Sequence, residues 1–274
     1  MKRTATIILN RNLPRVTERL YESIENNNAA ETDIYVVEAG SQKNNLSRYC
    51  TWWANWDESI EHGLRVPRGF NYGLCKLWED KRFSQYDFFF LLPNDTEFRD
   101  EPIIETLVCE MENHPRVGIL SPCSKHWGEK KLFNGQKTKY FWYINHIAWL
   151  LRREFIESIM ELESPTYMNF LYDGENFRGY ESDIELIVKG YANDWASAIT
   201  TRVVAEENEE HLKTRADLIK TEPYEENLIK VLDEGKKWLR RKYGFNSRWT
   251  MQIYAKFFYD KFFEYYPELV KYKI

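Results

Sequence analysis

Apolar residues fall along this chain in blocks whose spacing alternates between strand-like and helix-like. Thr4–Leu9 is a short apolar run that predicts a first strand. After the loop Asn10-Arg11-Asn12-Leu13-Pro14, Val16, Leu20 and Ile24 recur at helical spacing, and Asn26-Asn27-Asn28 ends that helix. Asp33–Glu38 predicts a second strand, stopped by Ala39-Gly40-Ser41. The opening unit is therefore βαβ, with a right-handed crossover. Leu46–Trp56 predicts a helix bearing Trp52, Trp53 and Trp56, and Leu64-Arg65-Val66 a short strand. Arg68-Gly69-Phe70-Asn71-Tyr72-Gly73 predicts a Gly-bearing turn that opens a helix through Asp80.

The densest apolar block is Asp87-Phe88-Phe89-Phe90-Leu91-Leu92, which breaks off in Pro93-Asn94-Asp95-Thr96. An unbroken run of this kind suits a strand buried on both faces, as in a parallel α/β sheet. Ligands bind outside the carboxyl ends of such strands, so Asp95 is placed where a carboxylate holds a metal or a phosphate-bound cation. Pro, Asn and Asp are equally ordinary turn residues. Further on, Ile103–Met111 predicts a helix, Val117–Pro122 a strand, and Lys125–Thr138 a polar loop. Tyr140–Leu151 predicts a strand pair or one long strand, and Glu154–Leu162 a helix. Ser182–Val188 predicts a helix stopped by Gly190, Trp195–Val204 a strand, and the chain from Tyr224 is helical and aromatic.

A chain of 274 residues with 43% hydrophobic and 16% aromatic content builds one large α/β domain with an appendage. No apolar stretch approaches the roughly 18 residues of a membrane helix. The N-terminal segment lacks a small-residue cleavage site and reads as a strand. Cys50, Cys75, Cys109 and Cys123 form no CxxC pair, so a reduced, cytoplasmic setting is expected. The net charge of −5 hides a contrast. Residues 236–274 carry ten Lys or Arg against three acids, a balance of +7 that leaves −12 for the rest. Trp249, Tyr254, Phe257, Phe258, Phe262 and Phe263 interleave with Lys256 and Lys261 there. This segment suits peripheral contact with an anionic membrane surface or nucleic acid, or else packing on the catalytic domain or a second subunit.

The order of these pieces resembles a family 2 glycosyltransferase of the GT-A fold. The resemblance rests on strand, loop, helix and a strand ending in Glu38-Ala39-Gly40-Ser41, then a strand ending in Asn94-Asp95-Thr96. His114-Pro115-Arg116-Val117-Gly118 matches the step after the family's metal motif. Ile147–Phe155 is similar to the segment before its acceptor helix, and Glu181-Ser182-Asp183-Ile184-Glu185-Leu186 with Gly190-Tyr191 to its general-base motif. The resemblance implies a Rossmann-like, mostly parallel central sheet flanked by helices. It implies a catalytic domain over 1–215, with a nucleotide-sugar half (1–122) and an acceptor half (123–215), and a helical appendage over 216–274.

It also implies an inverting transfer from a nucleotide-sugar donor, most naturally a UDP-sugar, to the hydroxyl of a glycan, a lipid-linked glycan or a modified DNA base. Charge builds on the diphosphate leaving group, and Mn²⁺ or Mg²⁺ on oxygen ligands stabilises it. Asp95 matches the last Asp of the family's DxD motif, while Pro93 replaces the first. His211, 28 residues after Asp183, stands where the family places a His near the metal. Asn10, Asn12, Glu38, Arg68 and Asn94 match donor-binding positions. Glu38 replaces the family's Asp, which leaves the base preference open. Asp183 matches the general base, with Glu181 and Glu185 as neighbouring acids; it is equally a first-turn acid favoured by a helix dipole. Trp127, Trp142 and Tyr143 are candidates for stacking on an acceptor sugar, or core aromatics. The rival readings are a nucleotidyltransferase, against which the Gly-free loop Asn10–Pro14 counts, and a non-catalytic sugar- or nucleotide-binding module.

Overall fold

The computed structural model describes residues 3–124, 128–160, 163–208, 210, 214, 222–247 and 249–274. The chain opens with β1 (Thr4–Asn10), α1 (Pro14–Asn28) and β2 (Thr32–Glu38). Pro14 fits the first turn of α1, where a missing N–H costs nothing. Next come β3 (Cys50–Trp53), α2 (Asp57–His62) and α3 (Arg65–Glu79). The apolar block is β4 (Phe88–Pro93), whose residues 88–92 are buried on both faces. It is followed by β5 (Thr96–Phe98), α4 (Ile104–Asn113), β6 (Val117–Ser124) and β7 (Thr138–Tyr140). The chain continues with β8 (Trp149–Arg152), α5 (Arg153–Ile159), α6 (Ser182–Ala192) and β9 (Ala196–Glu207). Two long helices, α7 (Tyr224–Tyr243) and α8 (Trp249–Tyr265), close it.

The nine strands form one sheet ordered β3-β2-β1-β4-β8-β6-β9-β5, with β7 on β9. The expected parallel character holds from β3 to β4, where each neighbour runs parallel, and again between β6 and β9. Antiparallel β8 sits between β4 and β6, and β5 and β7 run antiparallel to β9. The sheet therefore reverses direction beside β4, and the carboxyl ends of β1, β2 and β4 gather at one edge.

Several local expectations are corrected. Leu46–Trp56 is not a helix: Cys50–Trp53 extends as an edge strand on β2, and Tyr35 stacks on Trp52 at 4.8 Å. Leu64–Val66 is not a strand, and the Gly-bearing stretch 68–73 is not a turn; both belong to α3 or its entry. A Cβ on Gly73 would lie 3.0 Å from Ile7 and Val37 side-chain atoms, and one on Gly69 would lie 3.1 Å from Leu9. These glycines bring α3 down onto the sheet. Gly190 likewise lies inside α6. Tyr140–Leu151 resolves into β7 and β8, which pair with other strands instead of each other. Residues 128–132 of the polar loop form a short 3₁₀ turn.

The C-terminal helices are packed on the body. Trp238, Leu239, Met251 and Ala255 form a buried cluster with Ile184 of α6, while Tyr259, Phe262 and Phe263 join the main core. Lys139 donates to the carbonyls of Lys271 (3.0 Å) and Lys273 (2.9 Å), which ties the chain end to β7. Of the tail aromatics, Phe262 and Phe263 are thus core, whereas Trp249, Tyr254 and Phe257 are exposed on the outer face of α8. No helix among the described residues is long and apolar enough to cross a membrane.

Candidate active site

A cavity of about 310 Å³ opens outside the carboxyl ends of β1 and β4. Leu9, Asn10, Pro93, Asn94 and Asp95 line it from the sheet, Arg65 from α3, His146 from the strand-free stretch before β8, and Glu207 from the end of β9. Arg178 and, from α7, Asn227 and Val231 complete the wall. The position follows from the strand order, because reversal beside β4 leaves a crevice at the strand ends.

Asn10 and Asn94 are brought together at the cavity. Asn94 Nδ2 donates to Asn10 Oδ1 (3.2 Å) and to Thr17 Oγ1 (3.0 Å). Asn10 Nδ2 donates to Glu38 Oε2 (2.8 Å), and Asn10 Oδ1 also accepts from the Leu13 N–H (3.1 Å). This network fixes the turn that presents Asp95. The Asn208 N–H donates to the Asp95 carbonyl (2.8 Å), and Thr96 pairs with Glu207, so the Asp95 and Glu207 segments run side by side.

Glu38 departs from its expected donor contact. It is 0% exposed, and its carboxylate accepts from Asn10, Ser41 Oγ (2.5 Å) and the Ser47 N–H (2.8 Å). Burial raises its pKa, opposed by those three bonds. Both oxygens are committed inside the protein, so Glu38 braces the loop after β2 and does not reach a ligand. Asn12 acts similarly: at φ 59° it accepts from the Gln42 N–H (2.8 Å), and its own N–H donates to Ser41 Oγ (3.1 Å). Arg68 also faces elsewhere. Its Nε donates to the Gly174 carbonyl (2.8 Å) and its guanidinium stacks on Phe177 at 4.8 Å, so it pins the 174–177 loop and does not line the cavity.

The cations at the cavity are Arg11, Arg65 and Arg178. Glu222 Oε1 accepts from Arg65 Nη2 (3.0 Å) and from Arg178 Nε (3.2 Å) and Nη2 (2.9 Å), while Arg178 Nη1 reaches Glu234 (2.5 Å). Arg11 Nη2 donates to the carbonyls of Ile60 and Glu61, both at 3.2 Å. Its pKa falls to about 10, chiefly through burial, then through Arg65, against the pull of Glu222. These arginines escaped the sequence reading because they converge from separate segments. His146 escaped because it sits within an apolar run; a lone His there was the available signal. Its ring stacks between Phe70 (5.1 Å) and Trp149 (4.4 Å), and burial lowers its pKa to about 3, so it stays neutral.

The acids of α6 separate clearly. Glu185 is buried and accepts from Lys242 Nζ (2.8 Å) and Tyr243 Oη (2.5 Å), with Lys189 at 3.4 Å, so it holds α6 to α7. Glu181 takes the left-handed conformation at φ 59° just before α6 and accepts from Gln252 of α8 (3.3 Å). Such backbone strain clusters at functional sites. Asp183, half-buried, accepts from the Ile184 N–H (3.1 Å), and burial raises its pKa to about 6. Its charge is felt by Tyr143 and Tyr172. Tyr172 Oη meets His146 Nδ1 at 3.4 Å, which links the start of α6 to the cavity wall. Tyr143 is exposed beside Asp183 and Glu181; Trp142 is half-buried against both apolar clusters, which makes it mainly a packing residue. Trp127 and His211 lie outside the described residues.

Oxygen donors for a hard divalent ion are present at the cavity in Asp95 and Glu207. Among the described residues no three His, Cys, Asp or Glu side chains converge to hold a metal ion. The set fits an ion that keeps water and borrows ligand phosphate oxygens, as Mg²⁺ commonly does.

No family model and no curated protein matches the sequence. Solved structures do match the fold. GalNAc-T7 in complex with UDP, GalNAc and Mn²⁺ superposes with a TM-score of 0.56 at 10% identity, over 95% of this chain and 56% of that one. TarS of S. aureus superposes with a TM-score of 0.51 at 11% identity, over 86% of this chain and 44% of that one. The chain thus spans about half the length of these structures. The topology, the crevice at the strand ends and these likenesses together give the chain the GT-A fold of glycosyltransferases.

Proposed function

We propose that the protein is an inverting glycosyltransferase that uses a nucleotide-sugar donor, with its donor in the cavity outside β1 and β4 and its general base at the start of α6. The observation that carries this reading is Asp183. It is the acid of the α6 motif whose side chain accepts only backbone bonds among those described above, and its raised pKa suits proton abstraction near neutral pH. The acceptor hydroxyl gives its proton to Asp183 as its oxygen attacks the anomeric carbon. The sugar–phosphate bond breaks on the opposite face, and the nucleoside diphosphate leaves with the bonding electron pair. Tyr143, whose hydroxyl feels the charges of both Asp183 and Glu181, offers an exposed ring to the acceptor sugar.

Asp95 and Glu207 are the residues proposed to hold Mn²⁺ or Mg²⁺, with His211 as the further metal residue expected from sequence. Such an ion, when bound, supplies charge stabilisation for the diphosphate leaving group. GalNAc-T7 was solved with UDP and Mn²⁺, which supports this choice of ligands. The two halves, 1–122 for the donor and 123–215 for the acceptor, are proposed on the same basis, but residues from α7 also reach the donor cavity.

Hydrolysis or transfer of nucleotide sugars tests the reading without knowledge of the acceptor. Release of nucleoside diphosphate, lost in Asp95→Ala and Asp183→Asn, supports it. Pyrophosphate release from a nucleoside triphosphate would point instead to a nucleotidyltransferase, and binding without turnover on any donor and acceptor to a non-catalytic module.

A further inference from the structure

We infer that the tip of the α7–α8 hairpin docks on an anionic membrane surface, with the outer side of α8 set into the headgroup layer. A helix that packs on a globular body is ordinarily apolar on one side only. On α8, Met251, Ala255, Tyr259, Phe262 and Phe263 are buried against the body, yet Trp249, Ile253 and Phe257, at i, i+4 and i+8, are each half or more exposed. Tyr254 is exposed as well. The last turn of α7 carries Arg240, Arg241 and Lys242 to the same end, because Phe245 stacks on Tyr243 of α7 and on Tyr254 of α8, both at 5.4 Å. Lys236 and Arg240 are exposed and form no ion pair among the described residues. An apolar stripe that starts at a Trp and has cations beside it is the pattern of a helix lying in a membrane interface.

Charge and ring geometry favour this occupant over others. Residues 236–274 carry +7, against −12 for the rest of the chain. A second copy bound through the same face would set two such tails against each other. Nucleic acid would need open ring faces for its bases and cations for its phosphates. Here Tyr254 stacks between Phe245 and Phe258, at 5.4 and 6.4 Å, and Lys261 lies over the Phe257 ring at 5.9 Å. Lys256 and Lys261 are matched along α8 by Asp260 and Glu264. The outer side of α8 therefore offers mainly ring edges and the aliphatic Ile253, which suit the acyl boundary, while the cations of α7 meet lipid phosphates. The tip also lies beside the start of α6, since Tyr243 donates to Glu185 (2.5 Å) and Gln252 to Glu181 (3.3 Å). The acceptor hydroxyl is then one presented at the bilayer surface.

That placing of the acceptor rests on the function proposed above; the docking surface itself does not. The test sediments the full chain with vesicles of phosphatidylcholine, alone or mixed with phosphatidylglycerol. The wild type is expected to bind the anionic vesicles at least about tenfold more tightly than the neutral ones. Trp249→Ser with Ile253→Ser should weaken that binding at least about tenfold. Lys236→Gln with Arg240→Gln should weaken it about tenfold and flatten its dependence on salt. All four side chains are exposed, so both variants should keep the wild-type thermal midpoint. No binding to anionic vesicles, or wild-type affinity in either variant, overturns the inference. So does self-association, or capture of single-stranded DNA, in place of vesicle binding. Vesicle binding lost in the variants, from a chain that neither binds nor releases any nucleoside diphosphate, upholds the surface and sinks the transferase reading. Asp183-dependent release of nucleoside diphosphate from a chain that ignores vesicles does the reverse.

Discussion

Asp183→Asn is expected to make the protein more stable while it removes transfer. Burial raises the Asp183 carboxyl from an ordinary 3.8 to about 6. At neutral pH its charged form is therefore disfavoured in the fold by at most about 3 kcal/mol. The sign follows from linkage: the folded state binds the proton more tightly, so stability from this group is fully present below the unfolded pKa and is lost as pH rises through the folded one. Asparagine keeps an oxygen for the Ile184 N–H and never takes the charge. Urea unfolding of both proteins as a function of pH measures the difference. The advantage of the variant should be under about 1 kcal/mol near pH 4 and approach ~3 kcal/mol near pH 8, levelling above pH 7. A difference that is flat across this range, or that favours the wild type more at high pH, would refute the assignment of Asp183 as a carboxylate held ionised at a cost for catalysis.

As the proposed base, Asp183 should also set the pH profile of transfer in the wild type. The rate should rise through a single ionisation near pH 6 as Asp183 loses its proton, and a flat profile across that pH argues against the base. Glu222→Gln leaves Arg65 and Arg178 without their shared carboxylate, and should cost about 3–5 kcal/mol in chemical unfolding. Gly235→Ala places a Cβ 2.3 Å from the Tyr180 ring, so it should loosen α7 and lower the thermal midpoint by several degrees, of the order that 1–2 kcal/mol produces. Trp249, Ile253 and Phe257 lie at helical spacing on the outer face of α8, exposed 54%, 66% and 50% beside Lys256 and Lys261. Trp249→Ala with Phe257→Ala should lose binding to vesicles of anionic lipid while nucleoside diphosphate binding stays intact; unchanged vesicle sedimentation removes that surface from consideration.

The βα rhythm of residues 4–38, the block at 88–92 and the start of α6 were legible because local periodicity and stop signals agree there. The strand order was not, because antiparallel β8 enters between β4 and β6 through contacts far apart in the chain. Cys50–Trp53 misled because its pairing with β2 is non-local, and aromatic residues pack as well on an edge strand as on a helix. Gly69 and Gly73 misled because glycine marks turns in a sequence, whereas here it allows close approach of a helix to a sheet. At the candidate site, Asp95 was read from its place at a strand end, and Asn10 and Asn94 from the resemblance. Glu38 occupied such a place too, but the sequence carried no sign that Ser41 and Ser47 would turn back and enclose it. Arg11, Arg65 and Arg178 come from three segments and acquire a shared meaning only once α3 and the 174–178 loop are folded against the sheet.

Calorimetric titration of UDP, and then of other nucleoside diphosphates, into the wild type and Asp95→Ala in the presence of Mn²⁺ tests whether the crevice at the ends of β1 and β4 takes the proposed nucleotide-sugar donor. One site is expected on the wild type, weakened severalfold or more in Asp95→Ala. Absence of binding by every nucleoside diphosphate, or equal binding to both proteins, would contradict it.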